Sequence, residues 1–144
     1  MNISIGHFNL DIDVNRTREF YKTQAHIMEN CDCASCRNYA QAVTRLPEAV
    51  QELFDNLGVD INQEAEVMIP YKLEDGRLIY SAFYHLVGKI ISCVTPHEST
   101  KISDDCCVWF SAEGDLVPKE FPQPVVQLFF DAKLPWLLDE ECSY

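Results

Sequence analysis

The sequence predicts an α+β domain: an antiparallel β-sheet with an N-terminal layer of two or three helices packed on one face. Three observations carry that expectation. Helical periodicity is confined to about residues 15–58, β-branched and aromatic residues dominate about residues 64–138, and Asp75-Gly76 stands between two strand-like runs as a hairpin signal. A helical block followed by a strand-rich block is the order that a sheet with one helical layer produces. No long flexible linker separates the blocks, so the 144 residues are read as one domain, 1–144, large enough to bury about two thirds of its unfolded surface.

The elements follow in order. Phe8, Leu10, Ile12 and Val14 alternate with Asn9, Asp11 and Asp13, which reads as a strand over Ile3–Val14 with one wet face. Asn15 can cap a helix over Arg16–Met28, with Phe20, Ile27 and Met28 on its apolar side. Asp32 is placed to cap a second helix, in which Cys36, Tyr39, Ala40 and Val43 share a face. A third helix has Pro47 in its first turn, a stripe of Leu46, Val50, Leu53, Phe54 and Leu57, and Gly58 where a left-handed C-cap is needed. The Asp75-Gly76 signal then pairs Glu66–Leu73 with Arg77–Ser92 through a type I′ turn. The second run loses its alternation near Tyr84, His85 and Gly88, as expected of a strand buried on both faces or bent at the glycine. Further strands are expected at Cys106–Ser111 and Val125–Ala132.

Charge narrows the partners. The formal net charge is −12, and acids outnumber bases 10 to 3 from Glu98 to Tyr144. Phosphate backbones and anionic membranes are repelled by such a surface, and Arg16, Arg18, Lys22, Arg37 and Arg45 form only a small basic group. No apolar run reaches the ~18 residues that span a bilayer, and no basic stretch followed by an apolar one opens the chain. The expectation is a cytoplasmic protein with a protein partner, a homodimer included, rather than nucleic acid or membrane. In that compartment thiols stay reduced, and seven cysteines point to metal or redox chemistry before disulfides.

Chemistry is concentrated in Cys31-Asp32-Cys33-Ala34-Ser35-Cys36. Cys33 and Cys36 in a first helical turn share a face, and Cys31 just outside it can fold back toward them. A helix N-terminus favours thiolates, the form that metals and electrophiles require. Zinc would fit such a trio and needs a fourth ligand, for which His85 is the first candidate, followed by Cys93, one of the vicinal Cys106 and Cys107, and His26. The metal site expected from the sequence is therefore Cys31, Cys33, Cys36 and His85. The same residues permit a second chemistry, nucleophilic or redox catalysis by Cys33 or Cys31 with His85 as base. A third reading is inert packing, which suits Cys36 in its apolar stripe better than Cys31 and Cys33, and leaves an acidic interaction module. For His85 itself, a buried imidazole bonded to backbone or to a tyrosine is the plainer alternative.

Four segments, Asn15-Arg16-Thr17-Arg18-Glu19-Phe20-Tyr21, Cys31-Asp32-Cys33-Ala34-Ser35-Cys36-Arg37-Asn38-Tyr39, Leu57-Gly58-Val59-Asp60 and Tyr84-His85-Leu86-Val87-Gly88, together resemble a group of small uncharacterised bacterial proteins. The resemblance implies a bacterial or phage-borne single-domain protein and brings no catalytic residue with it. No phosphate-binding glycine loop, nucleophile elbow, His-Glu-x-x-His motif or calcium loop is present. The sequence thus favours a non-enzymatic binding domain organised by a soft metal such as zinc.

Overall fold

Phe8, Leu10 and Ile12 do turn to the core, but the strand expected over Ile3–Val14 is a hairpin in the computed structural model, which describes residues 1–23, 31 and 33–144. Strand β1 (Asn2–Ile5) turns at Gly6-His7 and returns as β2 (Phe8–Ile12), with Ile5 opposite Phe8. Gly6 takes φ +57°, and a Cβ there would fall 2.1 Å from Thr100 Oγ1, so the turn requires glycine. The next cap also shifts. Helix α1 (Val14–Thr23) begins at Asp13, whose Oδ1 accepts the Arg16 N–H at 3.0 Å, and not at Asn15. The continuation expected through Ile27 and Met28, the His26 ligand and the Asp32 cap all lie outside the described residues.

Helix α2 (Ala34–Ala42) runs into a 3-10 turn at Val43–Arg45, and α3 (Glu48–Leu57) follows. In α3 the stripe Val50, Phe54 and Leu57 is buried as expected, and Gly58 closes the helix at φ +79°. Strands β3 (Glu66–Lys72) and β4 (Leu78–Ser92) form the anticipated hairpin. Its turn is one residue wider than a type I′ loop. The Leu73 N–H donates to Arg77 O at 2.7 Å across Glu74-Asp75-Gly76, and Gly76 takes the positive φ of +92°. A short strand the sequence did not signal, β5 (Thr100–Ser103), precedes β6 (Cys106–Ser111) and β7 (Val125–Leu134).

All strand pairings among the described residues are antiparallel, in the order β1-β2-β4-β7-β6-β5 with β3 also on β4. The α+β expectation is therefore met. The long strand β4 is the spine, and β3 pairs with its first half while β2 pairs with its last residues. Between those two partners, His85 and Val87 are served by α1 instead of a strand. The Tyr21 hydroxyl accepts the His85 N–H and donates to its C=O, both at 2.9 Å. Thr17 Oγ1 accepts the Val87 N–H at 3.0 Å, and the Asp13 N–H donates to Val87 O at 2.8 Å. Buried backbone groups left without partners would each cost about 1–3 kcal/mol, so these side chains stitch the first helix to the sheet.

Gly88 lets β2 approach. A Cβ at this position would lie 2.2 Å from Asp11 O, and the chain at Ala82–Gly88 is buried, as the lost alternation implied. On one face of the sheet Leu78, Tyr80, Ala82, Tyr84 and Leu86 meet the helices, and the Phe54 ring packs edge-on to Tyr84 and Phe130 at centroid distances of 5.0 and 5.2 Å. The opposite face carries Phe83, His85 and a Trp109–Phe129 stack with centroids 3.7 Å apart.

Candidate metal centre

Helix α2 owes its position to polar side chains that are buried, which its sequence did not suggest. Tyr39 and Tyr84 share a hydrogen bond of 2.6 Å between their hydroxyls, and Tyr84 donates onward to Ile61 O at 2.7 Å. Asn38, fully buried and not the exposed helix residue its polarity suggests, donates to Pro135 O and Tyr80 Oη at 3.0 and 3.2 Å and accepts the Leu137 N–H at 2.7 Å. The Tyr80 hydroxyl donates to Ser35 O at 3.0 Å, one residue before Cys36. The segment after β7 is thereby tied across the start of α2. Arg37 pairs with Glu140, and the Tyr144 and Ser35 hydroxyls lie 2.8 Å apart.

At that start the three thiols converge. Cys33 occupies the N-cap position, with φ −72° and ψ 157°, and Cys36 lies in the first turn. Cys31 Sγ is 3.2 Å from both Cys33 Sγ and Cys36 Sγ, and the three sulfurs lie within 4.8 Å of one another. A tetrahedral zinc with Zn–S bonds of about 2.3 Å holds its sulfurs roughly 3.8 Å apart, so rotation about the Cys Cα–Cβ bonds suffices to fit this triangle around an ion. Burial is graded from Cys36, which is buried, through Cys31 to the exposed Cys33. An ion can therefore enter from the Cys33 side.

The cap also shows a sacrifice of stability. Cys33 makes no side-chain hydrogen bond to the helix, where Ser or Asp would satisfy a first-turn N–H and contribute about 1 kcal/mol. The expected activation by the helix dipole does not dominate at Cys36. Burial pushes that thiol well up from its usual value, and the neighbouring Cys31 and Cys33 push it further. Three thiols this close cannot all ionise without a cation.

His85 is not brought to the sulfurs. Successive residues of a strand face opposite ways, so while Tyr84 reaches α2, the His85 ring lies on the other face against Phe83 and Phe121. There its Nε2 is 2.9 Å from Asp115 O and 3.3 Å from Gln127 Oε1, and burial lowers its pKa. This is the buried, backbone-bonded imidazole, and it does not join the three sulfurs within 4.8 Å as fourth ligand or as base for Cys33 or Cys31. Cys93 follows the far end of β4, Cys106 is buried beside Ser103, and Cys107 points to the other face. None of them joins the group within 4.8 Å, which among the described residues holds only Cys31, Cys33 and Cys36.

One acidic residue was missed. Glu64, between α3 and β3, is only 4% exposed, and neither carboxylate oxygen has a hydrogen-bond partner beyond its own residue among the described residues. It lies within electrostatic reach of Cys31, Tyr39 and Tyr84, and burial raises its pKa to about 8. No periodicity marks it, because Glu64 sits in a connection rich in acids and amides where exposure is the normal expectation. A cavity of about 490 Å³ opens between α1 and α3 at Arg18, Tyr21, Phe54 and Asn62, and none of the three cysteines lines it.

No helix among the described residues is long and apolar enough to cross a membrane. No family model, curated protein or solved structure matches the chain.

Proposed function

We propose that the protein is a cytoplasmic, non-enzymatic binding domain in which Cys31, Cys33 and Cys36 hold a soft divalent metal of the zinc type, and that the metal fastens the start of α2 to the sheet for recognition of a protein partner. The observation that carries this reading is the triangle of three sulfurs within 4.8 Å at a helix start that lacks a side-chain cap. Convergence of three thiols is a ligand arrangement, whereas inert packing disperses cysteines through a core, as it does Cys106. The His85 ring, on the other face of the sheet from Tyr84 and bonded to Asp115 O, weighs against its service as base in thiol catalysis.

The test is metal content by mass spectrometry of untagged protein purified without chelator, together with a count of reactive thiols in the native state. About one equivalent of zinc with three protected thiols is expected, both lost in a Cys31→Ser, Cys33→Ser, Cys36→Ser variant. Metal-free protein of unaltered stability that gains nothing from added zinc would refute the reading. Three fast-reacting thiols in that protein would return the cluster to nucleophilic or redox chemistry.

A further inference from the structure

Three thiolates leave a tetrahedral ion one position short, and no described histidine or cysteine completes the set. We propose that Glu64 supplies the fourth ligand, so that the site is a three-sulfur, one-oxygen centre that reaches from the start of α2 to the connection before β3. The inference rests on the metal-centre reading above and extends it to the residue that closes the site.

Two observations lead to it. The first is that Glu64 is 4% exposed with neither oxygen bonded beyond its own residue among the described residues, an arrangement that costs several kcal/mol for an ionised carboxylate and holds the acid protonated until a cation offsets the charge. The second is its surroundings. Its backbone is held in place: the Gln63 N–H donates to Asp60 O at 3.0 Å, the Asn62 N–H to Asp60 Oδ1 at 2.9 Å, and the Ala65 N–H to Phe83 O at 2.9 Å. Cys31 lies within its electrostatic reach. No described cation pairs with the carboxylate, and its charged neighbours, Asp60 and the Cys31 thiol, only disfavour its ionisation. An acid placed among groups that become negative is intelligible when a dication is shared between them, because the ion reverses the sign of every local interaction.

The carboxylate is not among the atoms grouped within 4.8 Å, so binding requires it to swing toward the sulfurs, a movement that the three torsions of a glutamate side chain allow. On binding, the acid gives up its proton to solvent as each thiol does, and an oxygen takes the position opposite the three sulfurs. Oxygen in a set of soft ligands keeps zinc, cobalt(II) and iron(II) in contention and disfavours copper(I).

Cobalt(II) alone, titrated into the wild-type protein and into Glu64→Gln and Glu64→Ala, tests this. The near-ultraviolet sulfur-to-cobalt band reports the thiolates, and the visible band reports the whole coordination sphere. In the wild type both bands should saturate at one equivalent. The variants should keep the sulfur band, change the visible band and bind about 10–100-fold more weakly, a range typical for loss of a supporting group at a metal site. Variants with wild-type affinity and an unchanged visible band would overturn the assignment of Glu64 and leave the three-cysteine centre intact. A wild type with no sulfur-to-cobalt band would overturn both. Urea unfolding of the metal-free variants separates ligation from architecture. Glu64→Gln matches the protonated acid in size and charge and should keep the metal-free urea midpoint near that of the wild type at pH 7, whereas a Glu64→Gln variant that loses cobalt while also becoming less stable would overturn the proposal in favour of a structural role.

Discussion

Asn38→Ala is the most informative single perturbation of the frame that presents the thiols. The side chain donates to Pro135 O at 3.0 Å and Tyr80 Oη at 3.2 Å, and accepts the Leu137 N–H at 2.7 Å. Each bond contributes about 1 kcal/mol net, and buried groups left without partners add their desolvation, so the loss should come to roughly 2–4 kcal/mol. For a chain of this size that corresponds to a fall in Tm of about 5–15 °C. Urea unfolding of metal-free protein measures it, with an unchanged slope showing that the folded and unfolded states have kept their extents. Hydrogen exchange adds the location. The Leu137 amide should lose protection along with the residues that follow it, while β4 amides such as Leu86 fall only by the global change. A loss below about 0.5 kcal/mol, with Leu137 still protected, would refute the claim that Asn38 ties the C-terminal segment across α2.

Two other outcomes follow from the same reasoning. Tyr21→Phe removes the hydroxyl that serves both backbone groups of His85, and should cost about 2–4 kcal/mol in urea, against almost nothing for Tyr71→Phe at an exposed position; equal effects would sink the stitching role of α1. In chelator, metal-free protein should become less stable as pH rises from 6.5 to 8. The folded-state pKa of Glu64, about 8, lies above its ordinary value of 4.5, so its contribution is complete below 4.5 and is lost as pH climbs through 8. One group with that shift accounts for about 1–2 kcal/mol over this window. His85, whose pKa is lowered, gains its contribution as pH rises through its ordinary value of 6.5, so it opposes the loss only at the low end of this window and adds no slope towards pH 8. Glu64→Gln should flatten the curve, and a wild-type profile that is already flat would contradict the shift.

Much of the architecture was legible because it is written in short-range periodicity. The stripe of α3 with its Gly58 cap, the hairpin around Asp75-Gly76 and the strands β6 and β7 are local patterns that tertiary contacts reinforce. Errors arose where the deciding partner is distant. Ile3–Val14 reads as one strand although its apolar positions slip by one residue, from Ile3 and Ile5 to Phe8, Leu10 and Ile12, across Gly6-His7, and it is the close approach of the distant Thr100 that explains why the turn needs glycine. Asn38 and Arg37 read as a polar helix surface until the segment after β7 is seen lying across them.

The candidate site divides along the same line. Cys31, Cys33 and Cys36 were visible as a site from the sequence alone, since residues so close along the chain at a helix start are obliged to be neighbours in space. What completes them was not visible. His85 was the natural candidate by residue type, yet the alternation of β4 sends its ring to the far face, while Glu64, which looks like surface, is buried with no partner beyond its own residue among the described residues, within electrostatic reach of Cys31. Local spacing determines which ligands travel together, because helix and strand periods act over a few residues. Which remote side chain meets them is decided by how the sheet, its helical layer and the C-terminal segment pack, and that depends on contacts between residues far apart in the chain.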